Sequence, residues 1–377
     1  MPLVNLTTGT VLPQINGFRL TLAPGYPVYT PQTATPFSTD TTAETTTFAA
    51  AHGWVSGTIV TPSATGGGLT NGTPYYLNVP STSTCSYHLT VAAALAGTSK
   101  VNLTASITAA IVPSGISSTA VSISPFLDDE IALFNGSSWA YVRSDELSVA
   151  LGTLTSGLPY DLYGYNNGGV LAAEWLAWTS ASARATAIVR QNGVWLKSGD
   201  LTRRLLGTIR TDSTTTTIDD GGSLLSQVGA KRFVANAQNQ VTRALRVFDS
   251  TATWTYSTNT WRQANGAAGN MVEWVNSVDS VVDADVTGTV NSSTNTVSGH
   301  LGLNLDTTSG TPSLSSGSNS GVAATAMVVP HTVRGDWNVL PGYHYIAWME
   351  TGNGTPTCTF IGVTANYKSG ISGRVWI

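Results

Sequence analysis

The sequence predicts an all-β protein, built from several antiparallel β-sandwich or jelly-roll-like domains with a Pro-rich extended N-terminal arm. Three observations carry that expectation. Apolar and polar residues alternate with period two in runs such as 280–287 and 301–306, the mark of strands with one buried and one wet face. The stretches Asn166-Asn167-Gly168-Gly169 and Asn192-Gly193 supply residues that tolerate the positive φ of tight hairpin turns. Charged residues make up only 10% of the chain, so Thr, Ser, Gly and Asn must solvate the surface, as suits long β-structures and repeated-copy assemblies.

Taken in order, residues 1–40 are rich in proline, which cannot donate to a sheet ladder. They hold one short alternating run, Phe18-Arg19-Leu20-Thr21-Leu22, and are expected to form an extended anchoring arm with one edge strand. Residues 41–106 split short β-forming runs, such as Gly57-Thr58-Ile59-Val60, with Gly, Pro and Asn turns. That pattern reads as a small β insert domain with one helical turn at 91–95. His52 follows an alanine run and precedes a turn glycine, so a structural hydrogen-bonding role is expected of it.

Residues 107–262 form the expected central β-sandwich module, entered by a linker or returning strand at 107–123. Asp128, Asp129 and Glu130 are adjacent, and successive strand side chains face opposite sides, so they cannot all converge. A solvated turn is expected there, with a calcium ion near Asp128 as the alternative. Residues 160–165 should pair with 170–178, a second hairpin should turn around 190–195, and a further strand pair should lie near 205–210. Alternating aromatic strands through Trp254, Tyr256 and Trp261 close the module. The C-terminal domain, 263–377, is expected to be an antiparallel β domain, with strands at 280–287, 301–306, 343–350, 357–363 and 373–377 and a surface loop at 307–320.

Net charge is −4, which implies no anionic partner such as nucleic acid. Between Arg143 and Arg262 lie 12 of the 17 Lys and Arg residues, interspersed with nine acids, so the basic residues form no nucleic-acid stripe. Cys85 and Cys358 are read as two buried free thiols, with a disulfide as the alternative. No basic segment precedes an apolar run at the start, and no stretch reaches the roughly 18 apolar residues of a membrane helix. The expectation is therefore no cleaved leader and no membrane insertion, and, should the protein work outside a cell, release by lysis with a particle.

The densest motif is Thr202-Arg203-Arg204-Leu205-Leu206-Gly207-Thr208-Ile209-Arg210-Thr211, followed by Lys231-Arg232-Phe233-Val234-Ala235-Asn236-Ala237-Gln238-Asn239-Gln240-Val241-Thr242-Arg243. It resembles a module of tailed-bacteriophage virion proteins in which TRRxLGTxRT precedes KRxxWNxxNRVxR. Ala235 stands where that pattern has an aromatic, and Gln240 where it has Arg. The stretch from Arg19 to Val28 resembles the start of the same module, which resumes at Ser124. The marks Ala51-His52-Gly53, Gly72 to Leu77 and Leu95-Ala96-Gly97-Thr98 resemble an insert domain of phage tail and virion proteins, and the closing part resembles the jelly-roll-like domain that accompanies the module.

The resemblance implies a virion structural protein, a homotrimeric tail fibre or spike that binds a host receptor. The alternative is a capsid decoration or head-fibre protein anchored on other virion proteins through residues 1–40. Trp254 with Tyr256, or Trp337, are candidates to stack on sugar rings of a host glycan. Arg203, Arg204, Asp219, Asp220, Lys231 and Arg232 are candidates for structural clamping or subunit contact, with the two arginines pairing to Asp219 or Asp220; glycan or anion binding is the alternative role. No pair of positioned carboxylates and no parallel β-helix repeat is legible, so neither an enzyme nor a cofactor is expected.

Overall fold

The computed structural model describes residues 12–223, 228–292, 299–317, 327–352, 354, 358–364 and 367–377. Strands make up 53% of the chain and helix 3%, so the protein is all-β. Among the described residues every strand pair is antiparallel except one, Lys231–Arg232 alongside Met271–Asn276. The single α-helix among the described residues, Val91–Ala96, lies where one helical turn is expected; the Thr90 side chain caps its start and Gly97, with φ of 66°, ends it.

The longest sheet runs in the order Ser38–Asp40, Thr45–Thr47, Thr84–His88, Tyr75–Ser81, Thr58–Pro62, Ile111–Ser118, Thr217–Asp220, Lys231–Arg232, Met271–Asn276, Gly342–Thr351, His300–Leu305 and Leu314–Gly317. It therefore crosses positions 106 and 262, the boundaries that composition suggests. A second sheet orders Val170–Ala177, Pro159–Asn167, Asp200–Arg210, Val194–Lys197 and Ile188–Gln191. A third orders Thr242–Phe248, Gly370–Trp376, Ser280–Ser292, Cys358–Ile361 and Thr253–Tyr256. The chain from Ala230 to Trp254 contributes Ala230, Ala235, Leu245, Val247 and Trp254 to the same apolar core as Trp274, Trp348, Phe360 and Ile377. The central module thus gives its last strands to the C-terminal core, because the strand Thr242–Phe248 pairs along its length with Gly370–Trp376.

Both sequence-marked hairpins form. Asn167 faces Val170 across Gly168 and Gly169, whose φ values are 64° and 95°. Gln191 faces Val194 across Asn192 and Gly193, at 51° and 84°. Positive φ at both turn residues matches the right-handed twist of the flanking strands.

Three expectations change. The arm is not a free extension over its described part: Phe18–Thr21 pairs with Ala120–Pro125, and Phe18, Leu20, Leu22, Ala23 and Tyr29 are buried in a core with Val121, Ile123 and Leu162. The apolar run outweighs the prolines, which fall in the turns on either side of it; residues 1–11 lie outside the described residues. The stretch 307–320 contains a strand, Leu314–Gly317, paired with His300–Leu305, while 318–320 lie outside the described residues, as does Thr357. A thirteen-residue strand without a sequence signal, Met327–Val339, pairs with Ser280–Ser292. It pairs on that side alone among the described strands, and an unpaired side is where Pro330 costs no ladder hydrogen bond.

Candidate functional site

The polar residues of the densest motif hold backbone in place. Arg204, 1% exposed, donates to the carbonyls of Pro13 (3.0 Å), Ile15 (2.8 Å) and Ala132 (2.6 Å), and to the Gln238 side chain. No carboxylate is among these partners, and burial pushes its pKa down to about 9. Asn236 presents its amide to Leu20, accepting from the Leu20 N–H at 2.6 Å and donating to the Leu20 carbonyl at 3.4 Å. Asn239 donates to the carbonyls of Asn16 (2.7 Å) and Phe18 (3.0 Å). Side-chain amides so placed act as a strand partner for the N-terminal segment. Thr208 donates to the buried Asp161 at 2.7 Å, which also takes Arg184 Nε at 2.7 Å. Gly207 is required by a close approach: a Cβ there would sit 2.2 Å from the Ala235 carbonyl oxygen. Ala235 itself is fully buried in the C-terminal core.

Arg203 and Arg204 do not pair with Asp219 or Asp220. Arg203 lies over the Tyr165 ring at 4.0 Å and beside Glu174 at 3.1 Å, because it sits on the opposite face of its strand from Arg204. Lys231 reaches Asp212 at 3.0 Å. Of the remaining candidates, Asp219 and Arg232 converge. Asp219 Oδ1 accepts from Arg232 Nη1 and Oδ2 from Arg243 Nη2, each at 2.7 Å. Burial opposes the Asp219 charge, yet Arg243, Arg232 and Arg19 outweigh it and hold the carboxyl below its usual range. Asp220 points away, to the Gly222 N–H at 2.9 Å and to Ser114, and burial raises its pKa.

Around Asp219 lies a cavity of about 280 Å3, with Tyr29, Ser114, Gly221, Arg232, Arg243 and Arg246 among its walls. Gly222 has φ of 80°, and a Cβ on it would lie 2.0 Å from the Arg246 carbonyl oxygen. The Asp219-Asp220-Gly221-Gly222 turn therefore brings bare backbone to the cavity. No family model matches this chain, and no curated protein matches it. Solved structures that align with it include three insecticidal toxins of Bacillus thuringiensis. The delta-endotoxin Cry8Ea1 aligns at 5% identity and TM-score 0.20 over 71% of this chain and 50% of that one. The mosquito-larvicidal toxin Cry4Aa aligns at 10% and 0.22, over 96% and 57%, and a tryptic core variant of Cry1Da at 6% and 0.18, over 66% and 48%. The chain spans about half the length of these structures, and TM-scores this low carry no argument about its function.

The aromatic candidates are placed differently from the sugar-stacking expectation. Trp254 is 8% exposed, stacked on Phe360 at 5.9 Å, and donates its indole N–H to Glu350 at 2.6 Å. That strand buries its Trp254 face, so the ring cannot lie against a ligand. Tyr256 is covered by the Arg262 guanidinium at 3.8 Å. Trp337 is half-buried against the C-terminal core.

The other singled-out residues are structural in their contacts. His52 stacks on Trp54 at 4.6 Å and accepts from the Trp54 N–H. Glu130 is bound to Arg143 at 2.7 Å, and Asp128 accepts from the Asp129 N–H. No group of three or more metal-ligating side chains occurs among the described residues. Cys85 and Cys358 are free thiols in separate cores, and burial pushes both up to about 11. Sequence reasoning missed Arg19 and Tyr29 as neighbours of Asp219. No local signal marks them, because both lie about 200 residues from Asp219 in the chain.

Proposed function

We propose that the chain is a bacteriophage virion structural protein of the tail-fibre or spike type, trimeric and directed at a host surface receptor. The observation that carries this reading is the use made of the motif: Arg204, Asn236 and Asn239, three of the residues behind the resemblance, hold the chain's own N-terminal segment. A motif spent on tying a β-scaffold together suits a protein whose role is to hold shape on a particle. The open, arginine-bordered cavity beside that scaffold offers a surface site for recognition. The alternative, a capsid decoration protein, would use residues 1–40 for anchoring just as a tail attachment would, so the pairing of Phe18–Thr21 within the fold favours neither.

Gold-labelled antibody against the chain, applied to purified particles, tests the assignment. Label at the tail is the expected result. Label on the shell would make it a decoration protein, and particles without label would remove the virion reading.

A further inference from the structure

The cavity beside Asp219 carries more positive charge than its own contacts use. Arg19, Arg232 and Arg243 all act on the Asp219 carboxylate, and Arg246, exposed at the wall, has no ion pair among the described residues. Each guanidinium has five N–H donors. Arg232 spends one on Asp219 and one on the Ala244 carbonyl, and Arg243 spends one on Asp219. Arg19 is met by the carbonyls of Pro27 and Asn239, which leaves Arg232 and Arg243 sharing the one Asp219 carboxylate at the cavity, and unbalanced buried charge destabilises a fold unless something else compensates it. Arg204 differs, since carbonyls and an amide of the chain surround it. At the cavity, Arg232 Nη2 stands 2.6 Å from where a Cβ on Gly221 would be, so glycine keeps that donor uncovered.

The geometry points to a binding site for a carboxylated monosaccharide unit. A guanidinium takes a carboxylate through two parallel hydrogen bonds. The exposed Thr30 and Thr242 at the walls offer hydroxyls for a sugar. A volume of about 280 Å3 falls at the lower end of small-ligand pockets, roughly 300–1,000 Å3, and matches one sugar ring. This deepens the receptor reading and rests on it for biological context alone.

Calorimetric titration of the full chain with glucuronate, N-acetylneuraminate, glucose and inorganic phosphate provides the test. Saturable binding of an acidic sugar, weakened by added salt, is expected, with glucose and phosphate bound far more weakly. Arg243→Lys, which keeps the charge and loses the fork, should weaken it by roughly tenfold or more. Should that variant fail to fold, Thr242→Trp, at an exposed position, fills the cavity and should abolish binding, while Arg246→Gln should weaken it. Glucose or phosphate binding as tightly as the acidic sugars, binding unchanged in Thr242→Trp, or no binding of either acidic sugar would each overturn the inference. Gold labelling does not depend on this result, so a chain that binds glucuronate yet is absent from particles would refute the virion reading alone.

Discussion

Asp219 shows how much one side chain can hold. It neutralises guanidiniums from two different sheets, so Asp219→Asn should destabilise the protein by about 3–5 kcal/mol, the range for stripping a buried charge of its partner. Its folded pKa is depressed, so its stabilisation is complete above the ordinary value of 3.8 and is lost as pH falls through the folded value. Melting temperatures followed from neutral pH down past that point should fall more steeply in the native protein than in Asp219→Asn; parallel curves would contradict the assignment.

The five histidines give a second residue-scale prediction. Burial lowers the pKa of His52, His88, His300 and His331 from 6.5. At His344 burial acts the same way, but the 2.7 Å bond to Asp306 outweighs it and raises the value. His344 therefore contributes stability that is complete below pH 6.5 and lost as pH rises through its folded value, whereas the other four lose stability as pH falls below 6.5. Proton NMR titration should show one imidazole titrating above 6.5 and four below, with the high one absent in His344→Gln. A native spectrum with no imidazole above 6.5 would refute the Asp306 pairing.

At the scale of elements, the N-terminal segment is held by side chains from the far end of the central module. Replacing Arg204 with Leu removes a donor from the carbonyls of Pro13, Ile15 and Ala132; Ile15 keeps the Ala132 N–H at 3.0 Å, and each buried group left unsatisfied costs about 1–3 kcal/mol. Limited proteolysis should then cut first around residues 12–16 in Arg204→Leu, and equal protection in both proteins would contradict the clamp. What the sequence revealed and what it hid follow from the same contrast. The hairpins at Gly168-Gly169 and Asn192-Gly193 were legible because their signals are local. Met327–Val339 was not, since Pro330 and Gly335 break the β-pattern and only its edge position tolerates the proline. The convergence of Asp219 with Arg232 and Arg243 was half legible: the acids and Arg232 stood out, but Arg19 is 200 residues away from its partner.

Across the whole molecule, the sheets do not stop at the boundaries that composition suggests. A chain with 10% charged residues leaves long sheets free of charge repulsion, and the longest of them runs through segments that composition divides at 106 and 262. Boundaries drawn from local composition cannot register pairings such as Thr242–Phe248 with Gly370–Trp376, because the two strands are more than a hundred residues apart. Three arginines of the central module, Arg232, Arg243 and Arg246, border the cavity. It lies where the N-terminal segment, the strand from Ile111 and the strand from Thr242 meet.

Competition for adsorption tests the proposed role most directly. Purified chain is added in excess to cells of the bacterial host before the particles, and free particles are counted. The receptor-binding account predicts that the chain saturates the cells and blocks adsorption, and that Thr242→Trp loses the block while remaining folded. Undiminished adsorption in the presence of saturating, folded chain would contradict it.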